Sequence, residues 1–349
     1  MTSEPIRTAI IGYGTGGRVF HGPLLGADSR YEVSAVVARD ENRRGQAAAA
    51  HPNAMLLDAA DQIYDLADPV DLVVVTTPPS SHHELAGAAL DHGTHVVVDK
   101  PFVVHADQGR NLIERAARAD LLLTVFHNRR YDGDFRTVRR LIAAGSLGEV
   151  RSIESRFEWW KPADPKAWKA HAGPEAGGGI LYDLGPHLID QVIQLFGQVV
   201  SVRGELTRYR AGDGGDDEAF VSLEHVDGVR SHLAMNSLAP IERPRFTLIG
   251  STAGFVKYGL DVQEGQLSRG TAPTDPRFGR EAAPSWGQLG GRDGLAQVST
   301  ERGGYPDFYG ELATALLEGG PPPVDPADAV GVIELIERIY AGTEIRRGR

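Results

Sequence analysis

The 349-residue chain has no cysteine and only five lysines: Lys100, Lys161, Lys166, Lys169 and Lys257. Without cysteine there is no disulfide, no thiol nucleophile and no thiolate ligand for zinc or an iron–sulfur cluster. Long apolar runs are lacking too, since none approaches the ~20 residues that a membrane helix needs. After Met1–Arg7 the first apolar run, Ile10–Ile11, stops at glycine, far short of a signal-peptide core, so a cytoplasmic location is expected. Nor is there an excess of positive charge. With 36 Lys and Arg against 47 Asp and Glu, the net charge is −11. Nucleic acids and anionic membranes reward a basic face, so neither is expected as a partner. What remains is ordinary globular composition, 41% hydrophobic and 24% charged. At ~100–200 residues per domain, the length suggests two domains.

Short β-branched runs alternate with Ala- and Leu-rich segments over the first 126 residues. The runs are Thr8–Ile11, Val33–Ala38, Leu72–Thr76, His95–Val98 and Leu121–Phe126; Arg44–Ala50, Ser81–Leu90 and Ala106–Ala119 lie between them. This spacing reads as βαβ units building a doubly wound parallel sheet. The alternation fails near residue 150, which excludes a TIM barrel. Beyond it, Val150–Phe157, Val199–Tyr209, Ala219–Glu224, Val229–Met235 and Arg245–Ile249 look like strands separated by turns such as Gly212–Gly215 and Asp227-Gly228. One helical segment, Ile180–Phe196, follows the first of them, and Phe308–Leu317 and Ala327–Tyr340 read as closing helices. The Gly-, Pro- and Ser-rich stretch from Gly259 to Gly304 reads as surface loops. The expected class is α/β, with a Rossmann domain over 1–126 and an α+β domain with a large, mostly antiparallel sheet over 127–349.

Gly12-Tyr13-Gly14-Thr15-Gly16-Gly17 sets a G-x-G-x-x-G turn at the end of the first strand. Gly12 permits the tight turn, Gly14 lets backbone approach a pyrophosphate, and Gly17 allows close helix–strand packing. A lone match would be weak among 42 glycines; the strand–turn–helix context gives it force. After the second strand, Arg39 offers a guanidinium to a 2′-phosphate, which favours NADP. Asp40, one residue on, would favour NAD. Further along, Lys100 ends the buried run His95–Val98, where an ammonium can hydrogen-bond a substrate oxygen.

Together these residues resemble the Gfo/Idh/MocA oxidoreductases. The resemblance rests on the glycine turn, on Thr76-Thr77-Pro78-Pro79-Ser80-Ser81-His82, on Asp99-Lys100-Pro101 and on Gly177–His187. Gly16–Leu25 and His127–Asp132 look most like the NADP-dependent scyllo-inositol dehydrogenase branch. The resemblance implies reversible oxidation of a secondary hydroxyl on a sugar or cyclitol, and a homodimer or homotetramer formed through the second domain's sheet. It also implies that Thr76, Pro78 and Asp99 contact the cofactor, while His82 either faces the cofactor too or caps the helix after the Pro78-Pro79 loop. The family's Glu-Lys-Pro is Asp99-Lys100-Pro101 here, and Pro79 replaces the Asn of its Thr-Pro-Asn loop.

Asp183 and His187 are four residues apart, hence on one face of a helix. His187 is the candidate base, Lys100 the group that polarises the reacting oxygen, and Asp183 the group that orients His187. Near a helix N-terminus the imidazole would stay neutral. Pro186 demands a first-turn position or a kink. No third ligand accompanies the Asp–His pair, so no metal is expected. Asn128 is a candidate for the nicotinamide ribose, and Arg129, Tyr131, Trp160 and Lys161 for substrate hydrogen bonds or a sugar-stacking face. Two other readings compete: a reductase of a different carbonyl or imine, and a dinucleotide-sensing regulator that no longer catalyses.

Overall fold

The computed structural model describes residues 4–162, 172–212 and 214–348. Lys166, Lys169 and Asp213 of the glycine-rich turn lie outside the described residues. Runs of Val, Ile and Leu too continuous to leave one face in water form the first sheet. Its strands are β1 (Ile6–Ile11), β2 (Tyr31–Val37), β3 (Met55–Leu57), β4 (Leu72–Val75), β5 (His95–Val98) and β6 (Leu123–Val125). All pair in parallel, in the order β3-β2-β1-β4-β5-β6. Every residue of β4 is buried, as a sheet covered on both faces requires. The order reverses between β1 and β4, and ligands of such sheets bind outside the strand ends at that switch point.

The second sheet has nine strands: β7 (Val150–Glu158), β8 (Val199–Arg208), β9 (Glu218–His225), β10 (Arg230–Asn236), β11 (Phe246–Gly250), β12 (Gly254–Lys257), β13 (Gly287–Gly291), β14 (Gly294–Val298) and β15 (Ile345–Arg347). Their order is β14-β13-β12-β11-β7-β10-β9-β8-β15, antiparallel except at β7–β10 and β8–β15. The expected hairpin at Asp227-Gly228 joins β9 to β10, with Gly228 at φ +80°. Along β9, buried Ala219, Val221, Leu223 and His225 alternate with Glu218, Phe220, Ser222 and Glu224. Helix Ile180–Phe196 packs against β7, β9 and β10. The fold is therefore α/β, a Rossmann sheet followed by a mostly antiparallel mixed sheet.

Besides strands β3, β12 and β15, which were not expected, three features differ from the sequence reading. The stretch 259–304 holds helix Val262–Ser268 and the β13–β14 hairpin as well as loops. Helix Gly133–Ala143 was not expected. The chain also divides into two compact units at more than one point: the first holds the chain up to Asn128 with Gln263–Phe278 and Gly304–Val330, the second Arg129–Val262, Gly279–Gly303 and Gly331 onward. A single boundary after Phe126 does not describe this division. The later segments belong to the first unit because Thr124 Oγ1 donates to the Val324 carbonyl at 2.8 Å and Phe126 packs edge-on against Phe308 at 4.9 Å.

Candidate active site

In the first unit the glycine turn sits at the switch point. Gly12 has φ +94°, a conformation that L side chains rarely adopt. Thr76, just past β4, donates from Oγ1 to the Gly12 carbonyl at 2.7 Å and from its backbone N–H to the Ile11 carbonyl at 2.9 Å. A β-carbon on Gly17 would collide with the Gly12 carbonyl, and one on Gly16 would lie 2.7 Å from Asp99 Oδ2. At Gly14 a β-carbon would meet nothing within 4 Å. Gly12, Gly16 and Gly17 are thus required by the protein's own packing, while Gly14 leaves backbone open to a ligand. Tyr13 is buried within the turn and Thr15 is exposed.

Arg39 and Asp40 follow β2. The Asp40 carboxylate accepts the Arg43 amide at 3.0 Å and caps helix Glu41–Ala50, so it serves that helix. Arg39 is exposed, with Nε donating to the Asp58 carbonyl at 3.2 Å. After β5, Asp99 Oδ1 accepts the Lys100 amide at 2.8 Å, and Lys100 is half-buried ahead of a cis peptide to Pro101. Pro78 is exposed at the start of the turn Pro79–Ser81. His82 does not open onto a cleft. It is buried, with Nε2 on the Thr77 carbonyl at 2.8 Å and Nδ1 on the Pro101 carbonyl at 2.9 Å, bracing the loop after β4 to the loop after β5. Burial lowers its pKa. Asn128, also buried, begins the turn Asn128–Tyr131.

In the second unit helix Ile180–Phe196 carries half-buried Asp183 in its first turn and buried His187 one turn later. Pro186 lies inside the helix, past the first turn. His187 is therefore beyond the reach of the helix-end charge, which is confined to the first turn. Its ring meets Phe157 of β7 edge-on at 5.9 Å. Phe157 in turn lies under two cations, Arg129 at 5.2 Å and Arg245 at 4.1 Å. Arg245 is fully buried and grips Ser155 Oγ at 2.5 Å and Gln191 Oε1 at 2.7 Å, while Gln191 Nε2 donates to the Arg129 carbonyl at 2.9 Å. Arg130 pairs with Asp190 of the same helix. Burial above all pushes the Asp132 carboxyl well above the usual carboxylate range; Asp261 and Asp134 add to this, opposed by Arg129 and Arg245.

Arg129 thus belongs to the surroundings of His187, whereas Tyr131 is buried under the Arg136 guanidinium at 5.5 Å. Trp160 is 56% exposed and bridges to Leu238. The backbone beyond β7 stays extended, with Trp159 N donating to the Asn236 carbonyl and Lys161 N to the Ser237 carbonyl. Alternation therefore puts Trp159 and Lys161 on the Phe157 side and Trp160 on the other. Phe157 and Trp159 are 6.4 Å apart, and the Lys161 ammonium lies 4.3 Å over the Trp159 ring. Trp159, Arg245 and Gln191 escaped the sequence reading. The one local signal was a lone Arg entering the apolar run Phe246–Ile249.

Two family profiles match the chain. One, described as an oxidoreductase family with an NAD-binding Rossmann fold, covers residues 6–127, and the other, a GFO/IDH/MocA C-terminal domain, covers 135–256. The chain belongs to the Gfo/Idh/MocA oxidoreductase family. Among its relatives in that family, the uncharacterised oxidoreductase YdgJ of Escherichia coli is 38% identical, over 96% of this chain and 95% of that one. The scyllo-inositol 2-dehydrogenase (NADP+) IolW of Bacillus subtilis is 32% identical, over 99% and 95%. The structure of the oxidoreductase yvaA from Bacillus subtilis superposes with a TM-score of 0.91 at 31% identity, over 98% of this chain and 97% of that one. A Gfo/Idh/MocA chain of this kind is an oxidoreductase with a dinucleotide-binding Rossmann domain. No helix among the described residues is long and apolar enough to cross a membrane.

Proposed function

We propose that this chain is an NADP-dependent dehydrogenase or reductase interconverting a secondary alcohol and a ketone on a small polyhydroxylated substrate, a sugar or an inositol-like cyclitol. The observation that carries the reading is the second unit's helix, with Asp183 and His187 one turn apart and His187 set against Phe157. The relative whose name gives an NADP-dependent scyllo-inositol dehydrogenase supports it. The open backbone at Gly14 fits a dinucleotide pyrophosphate. Asp40 is committed to a helix cap, which leaves Arg39 as the charged side chain at the end of β2 and supports NADP over NAD. A bound nicotinamide would supply the hydride acceptor for oxidation and the hydride donor for reduction.

The residues' tasks follow from their chemistry. His187 takes the hydroxyl proton in oxidation and returns it in reduction. Lys100 donates a hydrogen bond to a substrate oxygen and stabilises charge that develops there. Asp183 orients His187 or an adjacent substrate hydroxyl. Thr76, Asp99 and Asn128 line the cofactor side, with His82 as the brace behind them. Arg129, Tyr131, Trp160 and Lys161 remain the substrate candidates, Trp159 joining them on the Phe157 side. We also assign the open face of the nine-stranded sheet to self-association as a homodimer or homotetramer.

The test is His187→Ala and Lys100→Ala, assayed on a polyol and keto-sugar panel with NADPH fluorescence as the binding control. Each variant should lose roughly 10²-fold or more in turnover, the range for a positioned acid–base group, and still bind NADPH. Near-normal turnover in either overturns that residue's role. Wild-type NADPH binding without turnover of any substrate in the panel would overturn the substrate class and favour a sensor.

A further inference from the structure

Helix Ile180–Phe196 has no side-chain cap from its own N-cap residue, Gly179. Its first amides are met from elsewhere in the chain. Ile180 N donates to the Asp216 carbonyl at 2.8 Å, and Leu181 N to Asp216 Oδ2 at 2.9 Å. The other carboxylate oxygen, Oδ1, accepts the Tyr340 hydroxyl at 2.5 Å, and the Tyr340 ring stacks on Tyr182 of the helix at 5.5 Å. Asp216 is 3% exposed. Gly179 and Gly215 make room for this contact. A β-carbon on Gly179, at φ +95°, would collide with Asp216, and one on Gly215 would collide with Gly179.

We propose that Asp216 is a positioning residue, a buried carboxylate latch that fixes, through the first-turn amides and Tyr340, the pose of the helix presenting Asp183 and His187. The proposal rests on the reading that this helix carries the acid–base residues. A carboxylate accepting from two donors holds them more firmly than a neutral group does. Burial raises the Asp216 pKa to about 6, while the Tyr340 hydroxyl and the Leu181 amide pull it down. The charged and titratable groups around it have other partners. Asp217 is paired with Arg210, Arg208 holds the Gly214 carbonyl, and Glu337 acts on Tyr182. The carboxyl is therefore ionised at neutral pH and takes up a proton as pH falls through about 6, which turns one of its oxygens from acceptor to donor and changes how it holds Leu181 and Tyr340.

Two variants and two readouts test this. In Tyr340→Phe one donor to the carboxylate is gone, so the acid limb of kcat should move up by about one pH unit, the worth of one hydrogen bond to a charged group. In Asp216→Asn the amide still accepts from Leu181 and still pairs with Tyr340, but it does not titrate. Its kcat should fall about 3- to 10-fold, its KM should hold, and the limb near pH 6 should flatten. The second readout needs no substrate: hydrogen-exchange protection of the 180–183 amides in the full chain. Protection should rise below pH 6 in the wild type, at higher pH in Tyr340→Phe, and show no such step in Asp216→Asn. An unmoved acid limb in Tyr340→Phe, or a wild-type exchange profile without the step, overturns the latch. The expected exchange behaviour in a protein that turns over no polyol overturns the functional reading and leaves the latch standing.

Discussion

Among the glycines of the cofactor turn, identical residues answer to different demands. Gly17 is held by the Gly12 carbonyl and Gly16 by Asp99, while Gly14 faces nothing. Gly14→Ala should therefore fold with an unchanged melting temperature and lose NADPH affinity. Gly17→Ala should lose stability by about 1–3 kcal/mol, the usual cost of overpacking, as well as affinity. Thermal melts and NADPH fluorescence separate the two cases. Equal melting losses in both would refute the assignment of Gly14 to the ligand. The neighbouring pair Arg39 and Asp40 separates in the same way. Removing a charge-assisted contact to a 2′-phosphate is worth roughly 1.5–3 kcal/mol, so Arg39→Ala should raise KM for NADP about 10- to 100-fold and leave that for NAD in place. Asp40→Ala should cost about 1 kcal/mol in urea unfolding, as loss of a helix cap does, without changing the NADP-to-NAD ratio. A rise in KM for NAD in that variant would restore Asp40 as a ribose ligand.

At the scale of elements, legibility followed the range of the contacts that decide each one. Helices Ala106–Ala119 and Ile180–Phe196 and strand His95–Val98 were readable to the residue, because apolar periodicity and end signals are local. Strand β3 has three residues, too few to show a period. The β13–β14 hairpin hid in a glycine-rich tract because its side chains supply little pattern. In the glycine run before helix Ile180–Phe196, Gly179 makes room for Gly215 and Asp216, and Gly178 for the Ala172 carbonyl. Arg245 reaches Ser155 and Gln191, contacts that no sequence window spans. The latch on helix Ile180–Phe196 also carries a stability consequence whose sign can be fixed. The folded pKa of Asp216 is raised from the usual 3.8 to about 6. Its favourable contribution is thus complete below pH 3.8 and is lost as pH rises through 6. A raise of this size, about two units, is worth roughly 3 kcal/mol. Asp216→Asn should unfold at higher urea than the wild type at pH 8, by up to that amount, and the gap should close by pH 4. A less stable variant at pH 8 would show that the ionised latch stabilises the fold outright.

For the whole molecule, the two sheets differ in what they leave uncovered. The parallel sheet buries both faces of its central strands, and its apolar runs made it legible. In the nine-stranded sheet, the face of β9 away from helix Ile180–Phe196 carries Glu218, Phe220, Ser222 and Glu224, and pairing puts Arg230, His232, Ala234 and Asn236 of β10 beside them. Across β7 the same face continues to Thr247 and Ile249 of β11. Phe220 is 36% exposed, its ring tilted against that of His232 at 5.9 Å, and Ile249 is 48% exposed. Large side chains set among interleaved Arg and Glu suit an isologous contact, in which each positive position of one copy meets a negative position of the other. If this face mediates assembly, a Phe220→Arg, Ile249→Arg double variant should sediment as the 37.6 kDa protomer, while the wild type sediments at a multiple of that mass. The variant should still bind NADPH, because both substitutions lie in the second unit and the glycine turn in the first. An oligomer that survives both charges would move the interface to another face of the molecule.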